Sequence, residues 1–391
     1  MRHRPEDLKE MQALPLEDKI FKTKQRIEAW YQTWTKYTIH DKETDTMRFV
    51  TIDNRDFYWA DAKERFKMKD SESIYEVEPG QVYVSFSGGK DSTVLKHIVD
   101  SMYDGVPALF VNTGLEYPEI QKFAMSQPNV VTVRPEMRFD EVIKKYGYPV
   151  ISKEVSKYVK EARRALEIGN TEYYALQKLE GRLLDKDGNK SIFNCEKWGF
   201  MIDAPYKISS QCCDVMKKRP STKFDKETGR KPIIATMASE SRLRHQKWLK
   251  FGCNAFDQKK PTSQPLSFWT EQDILHYIKE YDVPYCSVYG DIQVKQEKEY
   301  ADQVNLIDYL ECYEPEDTLE TTGCNRTGCI FCMFGCHLEK EPNRFQRLKE
   351  THPRQYDFCI NGGEIVDGKW QPNKKGLGLG YVLDYIGVPY E

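Results

Sequence analysis

Residues Val82 to Thr93, VYVSFSGGKDST, restrict the fold more than any other stretch of the chain. Val82, Val84 and Phe86 alternate with Tyr83 and Ser85, the period of a β-strand. The pattern breaks at Gly88-Gly89 and resumes with Val94, Leu95 and Ile98 at helical spacing. Two glycines at a strand-to-helix turn let the backbone approach a ligand with no Cβ in the way. The free N–H groups that open the helix favour an anion in that turn. Ser87 and Ser92 add hydroxyls, Lys90 a positive charge, and Asp91 a carboxylate able to cap the helix or hold Mg²⁺. The stretch reads as a phosphate cradle. It has neither the Walker spacing nor the Gly-x-Gly-x-x-Gly dinucleotide fingerprint.

Two further apolar runs follow, Ala108 to Val111 and Val130 to Val133, giving β-α-β-α-β order. That order implies an α/β fold on a parallel sheet with right-handed crossovers, ligands lying beyond the carboxyl ends of the strands. The first run ends in Asn112, Thr113 and Gly114, which join the candidate binding residues. Upstream, residues 15–35 place Ile20, Ile27, Trp30 and Trp34 on one stripe of a helix. Residues 36–80 are polar, with short β-like pieces such as Phe49 to Ile52, and form an insertion or small subdomain. Three segments are expected: an N-terminal helix plus polar insertion over 1–79, a nucleotide-binding domain over 80–290, and a cysteine-rich module over 291–391.

The charge balance, 58 basic against 61 acidic residues, excludes a global nucleic-acid field but not a local patch. Lys153, Lys157, Lys160, Arg163 and Arg164 recur at helical spacing within a charged helical pair over 150–185. Such a run is usually a solvated face; if functional, it is where a polyanion such as nucleic acid approaches. No apolar run approaches the ~20 residues that cross a bilayer, and residues 1–20 are charged throughout. The expectation is a soluble cytoplasmic protein without a membrane partner.

Eleven cysteines are many for such a protein. Cys195, Cys253, Cys286, Cys312 and Cys359 are scattered, as packing thiols are. Cys212-Cys213 is a pair, followed by Lys217, Lys218 and Arg219, which would stabilise thiolates or bind phosphate. Cys324, Cys329, Cys332 and Cys336 fall in one glycine-rich stretch, and such thiolates select zinc or iron–sulfur. Downstream of a strand-like run from Pro232 to Met237 come Ser241, Arg242 and Arg244. Thr270 with Asp273 signs the start of a helix.

The loop Ser87 to Ser92 resembles the pyrophosphatase loop of the adenine-nucleotide alpha-hydrolase superfamily. Residues 112–119 resemble the Asp-Thr-Gly loop of sulfonucleotide reductases, with Asn112 in place of Asp, and residues 238–244 resemble their arginine-containing loop. Across roughly 80–340 the chain resembles the phosphoadenosine phosphosulfate reductase family. The resemblance implies a Rossmann-like α/β domain of alpha-hydrolase type, with the helical addition and the cysteine-rich module appended. It implies an adenine nucleotide, ATP or adenylyl sulfate, bound by Ser85, Ser87, Gly88, Gly89, Lys90, Asp91, Ser92, Asn112, Thr113, Gly114, Ser241, Arg242 and Arg244, with Mg²⁺ a further candidate. It implies a 4Fe–4S cluster on Cys212, Cys213, Cys329 and Cys332; the alternative is zinc on Cys324, Cys329, Cys332 and Cys336. Lys90, Asp91, Arg244 and Cys336 are the candidate catalytic residues, and a thiol reductant or sulfur-donor protein the expected partner. Two features depart from the reductases. Positions 237 and 238 hold Met and Ala where those enzymes carry an arginine pair, and the tail lacks their Cys-Gly-x-His nucleophile, for which Cys336-His337 is the nearest substitute. Family members that split ATP and insert sulfur into nucleic acid share the loop without that tail, and are one alternative reading; a nucleotide-binding protein with structural zinc is the other.

Overall fold

The computed structural model describes residues 3–41, 46–50, 57–61, 65–68, 74–78, 80–295 and 317–391, with the backbone alone over 36–78. The chain forms two compact units that interleave along the sequence. The first comprises Met1–Phe110, Pro118–Thr132 and Lys223–Arg326; the second comprises Val111–Tyr117, Val133–Thr222 and Thr327–Glu391. These units cut across the segments expected at 79/80 and 290/291, because 133–222 shares a core with 327–391.

The expected sheet is present. It has six strands in the order Asn254–Ala255, Thr262–Ser263, Lys231–Ile234, Val82–Phe86, Ala108–Val111, Val130–Val133. Val82–Phe86 is central and pairs in parallel with Lys231–Ile234 on one side and Ala108–Val111 on the other. Its residues Val82, Tyr83, Val84 and Phe86 are buried, as expected of a strand covered on both faces. Helix Lys90–Asp100 buries Val94, Leu95, Ile98 and Val99 in the same core. The N-terminal helix Leu16–Thr33 packs Ile20, Ile27 and Trp30 into that core. Its Lys19 is buried and ion-paired to Asp273 at 2.7 Å, the carboxylate that also accepts the Thr270 N–H at 2.6 Å in the expected capping box.

Residues 36–78 contribute a five-stranded sheet, Thr46–Val50, Lys36–Asp41, Ile74–Glu78, Arg65–Met68 and Phe57–Asp61 in spatial order. Its neighbouring strands pair antiparallel. Of the piece expected at 49–52, Phe49 and Val50 end a strand, and 51–52 lie outside the described residues. The second unit packs helices Phe139–Tyr146, Lys153–Glu167, Arg344–Thr351, Pro353–Ile360 and Leu379–Tyr385 around one core. Short parallel pairs, Met333 with Val150 and Phe334 with Ile151, tie the cysteine-rich stretch into it. The chain's last helix is part of this core, with Leu379, Val382 and Leu383 fully buried.

Candidate functional site

The phosphate loop sits where the central strand ends. Gly88 has φ +74°, and a Cβ there would meet Ile120 at 3.0 Å and Ala124 at 3.2 Å, so the turn needs a glycine. The loop is braced from within. Ser92 Oγ donates to Gly89 O at 2.9 Å, Ser87 and Ser92 hydroxyls meet at 3.1 Å, and Ser87 N donates to Ser92 Oγ at 3.2 Å. Tyr289 OH accepts the Lys90 N–H at 3.1 Å. Ser85 precedes the loop on the strand and is half-buried.

The cations around the loop already have partners. Lys90 Nζ pairs with Glu271 at 2.9 Å and donates to Asn325 O at 2.7 Å. Glu240 takes Arg244 on one oxygen and Arg326 on the other, the latter at 3.0 Å. Arg326 and Glu240 carried no local motif and were missed in the sequence. They join Arg244 because tertiary structure brings residues 86 positions apart together. Burial and the neighbouring Arg326 lower the Arg244 pKa. Ser241 caps helix Arg242–Phe251 by accepting the Arg244 N–H at 3.3 Å, and Arg242 is exposed.

Two polar atoms here lack hydrogen-bond partners among the described residues: Asp91 Oδ1 and Thr236 Oγ1. Burial raises the Asp91 pKa, against the opposing pull of Lys90. Thr236 lies two residues beyond Ile234, whose pairing partner is Ser85, and Ser87 lies two residues beyond Ser85. Thr236 therefore follows the end of the strand Lys231–Ile234, which pairs with the one that enters the loop, a position without a local sequence signature.

Asn112, Thr113 and Gly114 fall in the second unit. They form a self-bonded turn: Asn112 Oδ1 accepts the Gly114 N–H at 3.1 Å, and Glu116 accepts both the Thr113 N–H at 3.1 Å and its hydroxyl at 2.7 Å. Leu115 O accepts the Ile330 N–H at 2.8 Å, which ties this turn to the cysteine-rich stretch.

Beside that turn is a pocket lined by Cys212, Cys213, Cys329 and Cys332, with Lys217 and Leu115. Cys212-Cys213 opens a helical segment whose next residues, Asp214–Lys218, are a π-helix, a register common at functional sites. The Cys212 and Cys213 sulfurs are 3.9 Å apart. The Cys212 S–H donates to Cys213, and with Lys153 and Lys217 nearby this holds the Cys213 thiol below its ordinary range. Burial alone would lower the Lys217 pKa, but Cys329, Glu116 and Cys213 outweigh it and keep the ammonium charged. Arg344 fixes the other arm by donating to Cys332 O at 2.8 Å.

The alternative ligand set is divided: Cys324 belongs to the first unit, and Cys329, Cys332 and Cys336 belong to the second. Cys336 is buried, donates to Met333 O at 3.0 Å, and is pushed up to about 12 by burial. That is an unfavourable setting for a nucleophile. Among the described residues, no three histidine, cysteine, aspartate or glutamate side chains stand close enough to share one metal ion. Cys312 lies outside the described residues.

Arg163 corrects the reading of the basic face. Its guanidinium donates to four carbonyls, Met201 at 2.9 Å, Ile202 at 2.8 Å, and Ala204 and Tyr206 at 2.7 Å. It is a structural clamp, whereas Lys153, Lys157, Lys160 and Arg164 stay exposed.

Residues 81–333 match the model of the phosphoadenosine phosphosulfate reductase domain. The chain belongs to the phosphoadenosine phosphosulfate reductase family. An uncharacterized protein of Methanocaldococcus jannaschii is 27% identical over 125 residues, which are 29% of this reductase-family chain and 30% of that protein. The chain thus spans under a third of that relative's length. A crystal structure of phosphoadenylyl-sulfate reductase from Candida auris, in a phosphate complex, matches at 16% identity and TM-score 0.29. The match covers 53% of the reductase-family chain and 75% of the yeast one, and it adds nothing to the fold described above. Among the described residues, no helix is long and apolar enough to cross a membrane.

Proposed function

We propose that this chain binds an adenine nucleotide on the loop Ser87–Ser92 and carries an iron–sulfur cluster on Cys212, Cys213, Cys329 and Cys332, working in sulfur metabolism or sulfur transfer. One observation carries the reading: two cysteine pairs more than a hundred residues apart line one pocket with a charged Lys217. Without a metal, the hydrogen bond to Cys213 and burial raise Cys212, and burial raises Cys329 and Cys332, so these thiols stay protonated; a bound metal would take all four as thiolates and supply the charge that Lys217 alone does not. Zinc at ~2.3 Å from each of four sulfurs needs them all in one tight tetrahedron. A cluster would be held by the thiolates of Cys212, Cys213, Cys329 and Cys332, the four cysteines of the pocket lining. When bound, the cluster supplies an electron-delocalising centre beside Lys217.

On the nucleotide side, the loop backbone and the helix start hold phosphate. Lys90 and Arg244 neutralise charge developing at the alpha phosphate or sulfate by exchanging Glu271 and Glu240 for the substrate. A second reading, ATP cleavage coupled to sulfur insertion into nucleic acid, is favoured by the burial of Cys336. A plain reductase wants an accessible thiol for the sulfo group. Anaerobic purification with an absorption spectrum and iron and sulfide analysis tests the cluster; a colourless protein with one tightly held zinc refutes it. Incubating the reduced protein with adenylyl sulfate, phosphoadenylyl sulfate or ATP, with and without DNA or tRNA, separates the reactions. Sulfite release supports the reductase, and pyrophosphate formed only with nucleic acid supports the second reading.

A further inference from the structure

The second unit contains a concavity of about 220 Å³ that neither the loop nor the cysteine pocket uses. Its walls come from three separate segments: Lys144 and Tyr148, Lys207, and the hairpin Val366 to Gln371. The frame is fixed. The hairpin turns at Asp367 and Gly368, both at positive φ, 51° and 71°, the backbone of a tight two-residue turn. Trp370 N donates to Pro205 O at 2.7 Å, its indole N–H donates to Gly378 O at 2.9 Å, and its ring stacks on Tyr381 at 4.6 Å. On the opposite wall, a Cβ on Gly147 would lie 2.4 Å from the Lys207 carbonyl carbon, so the segment bearing Lys207 is pressed against the end of the helix bearing Lys144. Lys207 Nζ donates to Lys144 O at 3.1 Å, which holds the ammonium at this wall.

Charge decides what such a space takes. Lys144, Lys207 and Lys369 line it, and Asp367 is the single acidic residue of the lining. Among the described residues, none of the three lysines forms an ion pair with a carboxylate, whereas other basic side chains of this unit do, as in Lys190–Glu196, Arg219–Asp214 and Arg344–Glu339. Lys207 and Lys369 are exposed and Lys144 is half-buried, and three positive charges with one opposing charge along one lining leave an excess of two. Lysine ammoniums are mobile point charges that suit a tetrahedral oxyanion better than a planar carboxylate.

We propose that this concavity is a second anion site, separate from the nucleotide loop, that takes a phosphate dianion: free phosphate or the phosphate monoester of a small nucleotide. A dianion restores neutrality, whereas a phosphodiester carries one charge and leaves half the excess uncovered. The site lies within one unit and does not depend on the cluster or nucleotide reading.

Amide hydrogen exchange on the full chain tests it, because the readout is local to residues 364–371. Inorganic phosphate or AMP slows exchange across that hairpin in the native protein, and adenosine does not. Protection by phosphate alone identifies the free ion as sufficient; protection by AMP but not by phosphate identifies the monoester. Lys207→Ala and Lys369→Ala each raise the half-protecting concentration at least fivefold, and Lys160→Ala, an exposed lysine elsewhere on the unit, leaves it unchanged. Lys369→Arg retains protection. The proposal is overturned by a hairpin whose exchange neither phosphate nor AMP alters, by equal protection with adenosine, or by protection that survives the Lys207→Ala/Lys369→Ala pair.

Discussion

Replacing Thr236 with Val should move stability and nucleotide affinity in opposite directions. The Thr236 hydroxyl is buried without a hydrogen-bond partner among the described residues, and its backbone is held in place. Thr236 N donates to Ile234 O at 3.0 Å, and Ala238 N donates to Ser267 O at 2.7 Å. Burying an unsatisfied hydroxyl costs about 1–3 kcal/mol. Valine keeps the branched shape and removes that cost, so Thr236→Val should stabilise the ligand-free protein by about 1 kcal/mol, the low end of the range because the site is only half-buried. For a unit of this size that is a rise of about 2–4 °C in Tm. Thr236 follows the strand that pairs with the one entering the loop, so its hydroxyl would serve as a donor to a nucleotide phosphate, and a hydrogen bond to a charged oxygen contributes about 1.5 kcal/mol or more. Affinity should therefore fall about tenfold. Calorimetric titration with ATP and adenylyl sulfate, beside a thermal scan without ligand, measures both, and Thr236→Ser should bind like the native chain. Unchanged affinity in Thr236→Val, or a lower Tm with affinity lost in Thr236→Ser as well, would refute the reasoning. No nucleotide binding by the native chain would instead remove the loop reading itself.

Three other outcomes follow from the same structure. Arg163→Ala should cost about 3–4 kcal/mol, since four carbonyls lose a charged donor and water restores only part of the loss; urea unfolding measures it, and a change under about 1 kcal/mol would return Arg163 to the solvated face. Cys213→Ser and Cys332→Ser should each bleach a brown protein and lower its Tm, because ligand loss removes metal binding that is coupled to folding. In protein stripped of metal, iodoacetamide at neutral pH should label Cys213 well before Cys336 or Cys359. The Cys213 thiol lies below the ordinary range, and burial raises the other two. Mass spectrometry of the labelled peptides, with Cys336 labelled first, would contradict that order.

Local pattern made the phosphate loop legible. An alternating run, two glycines and an apolar helical stripe need only near neighbours to specify strand, turn and helix, and Gly88 takes the positive φ that such a turn requires. The cap at Thr270 was readable for the same reason, being a contact three residues long. The two cysteine pairs were visible as pairs, because cysteines at such spacing have few structural uses. That they line one pocket with Lys217, and that Glu116 acts on that ammonium, depended on helix and strand packing across the second unit. Arg163 shows the limit most plainly. Along the chain it belongs to a run of helical cations, yet the 201–206 turn folds over it and presents four carbonyls, so burial and hydrogen bonding set its role. Arg326 and Glu240 likewise have no local signature. Their pairing with Arg244 exists because chain segments remote in sequence are packed together, and charge acts through space rather than along the backbone.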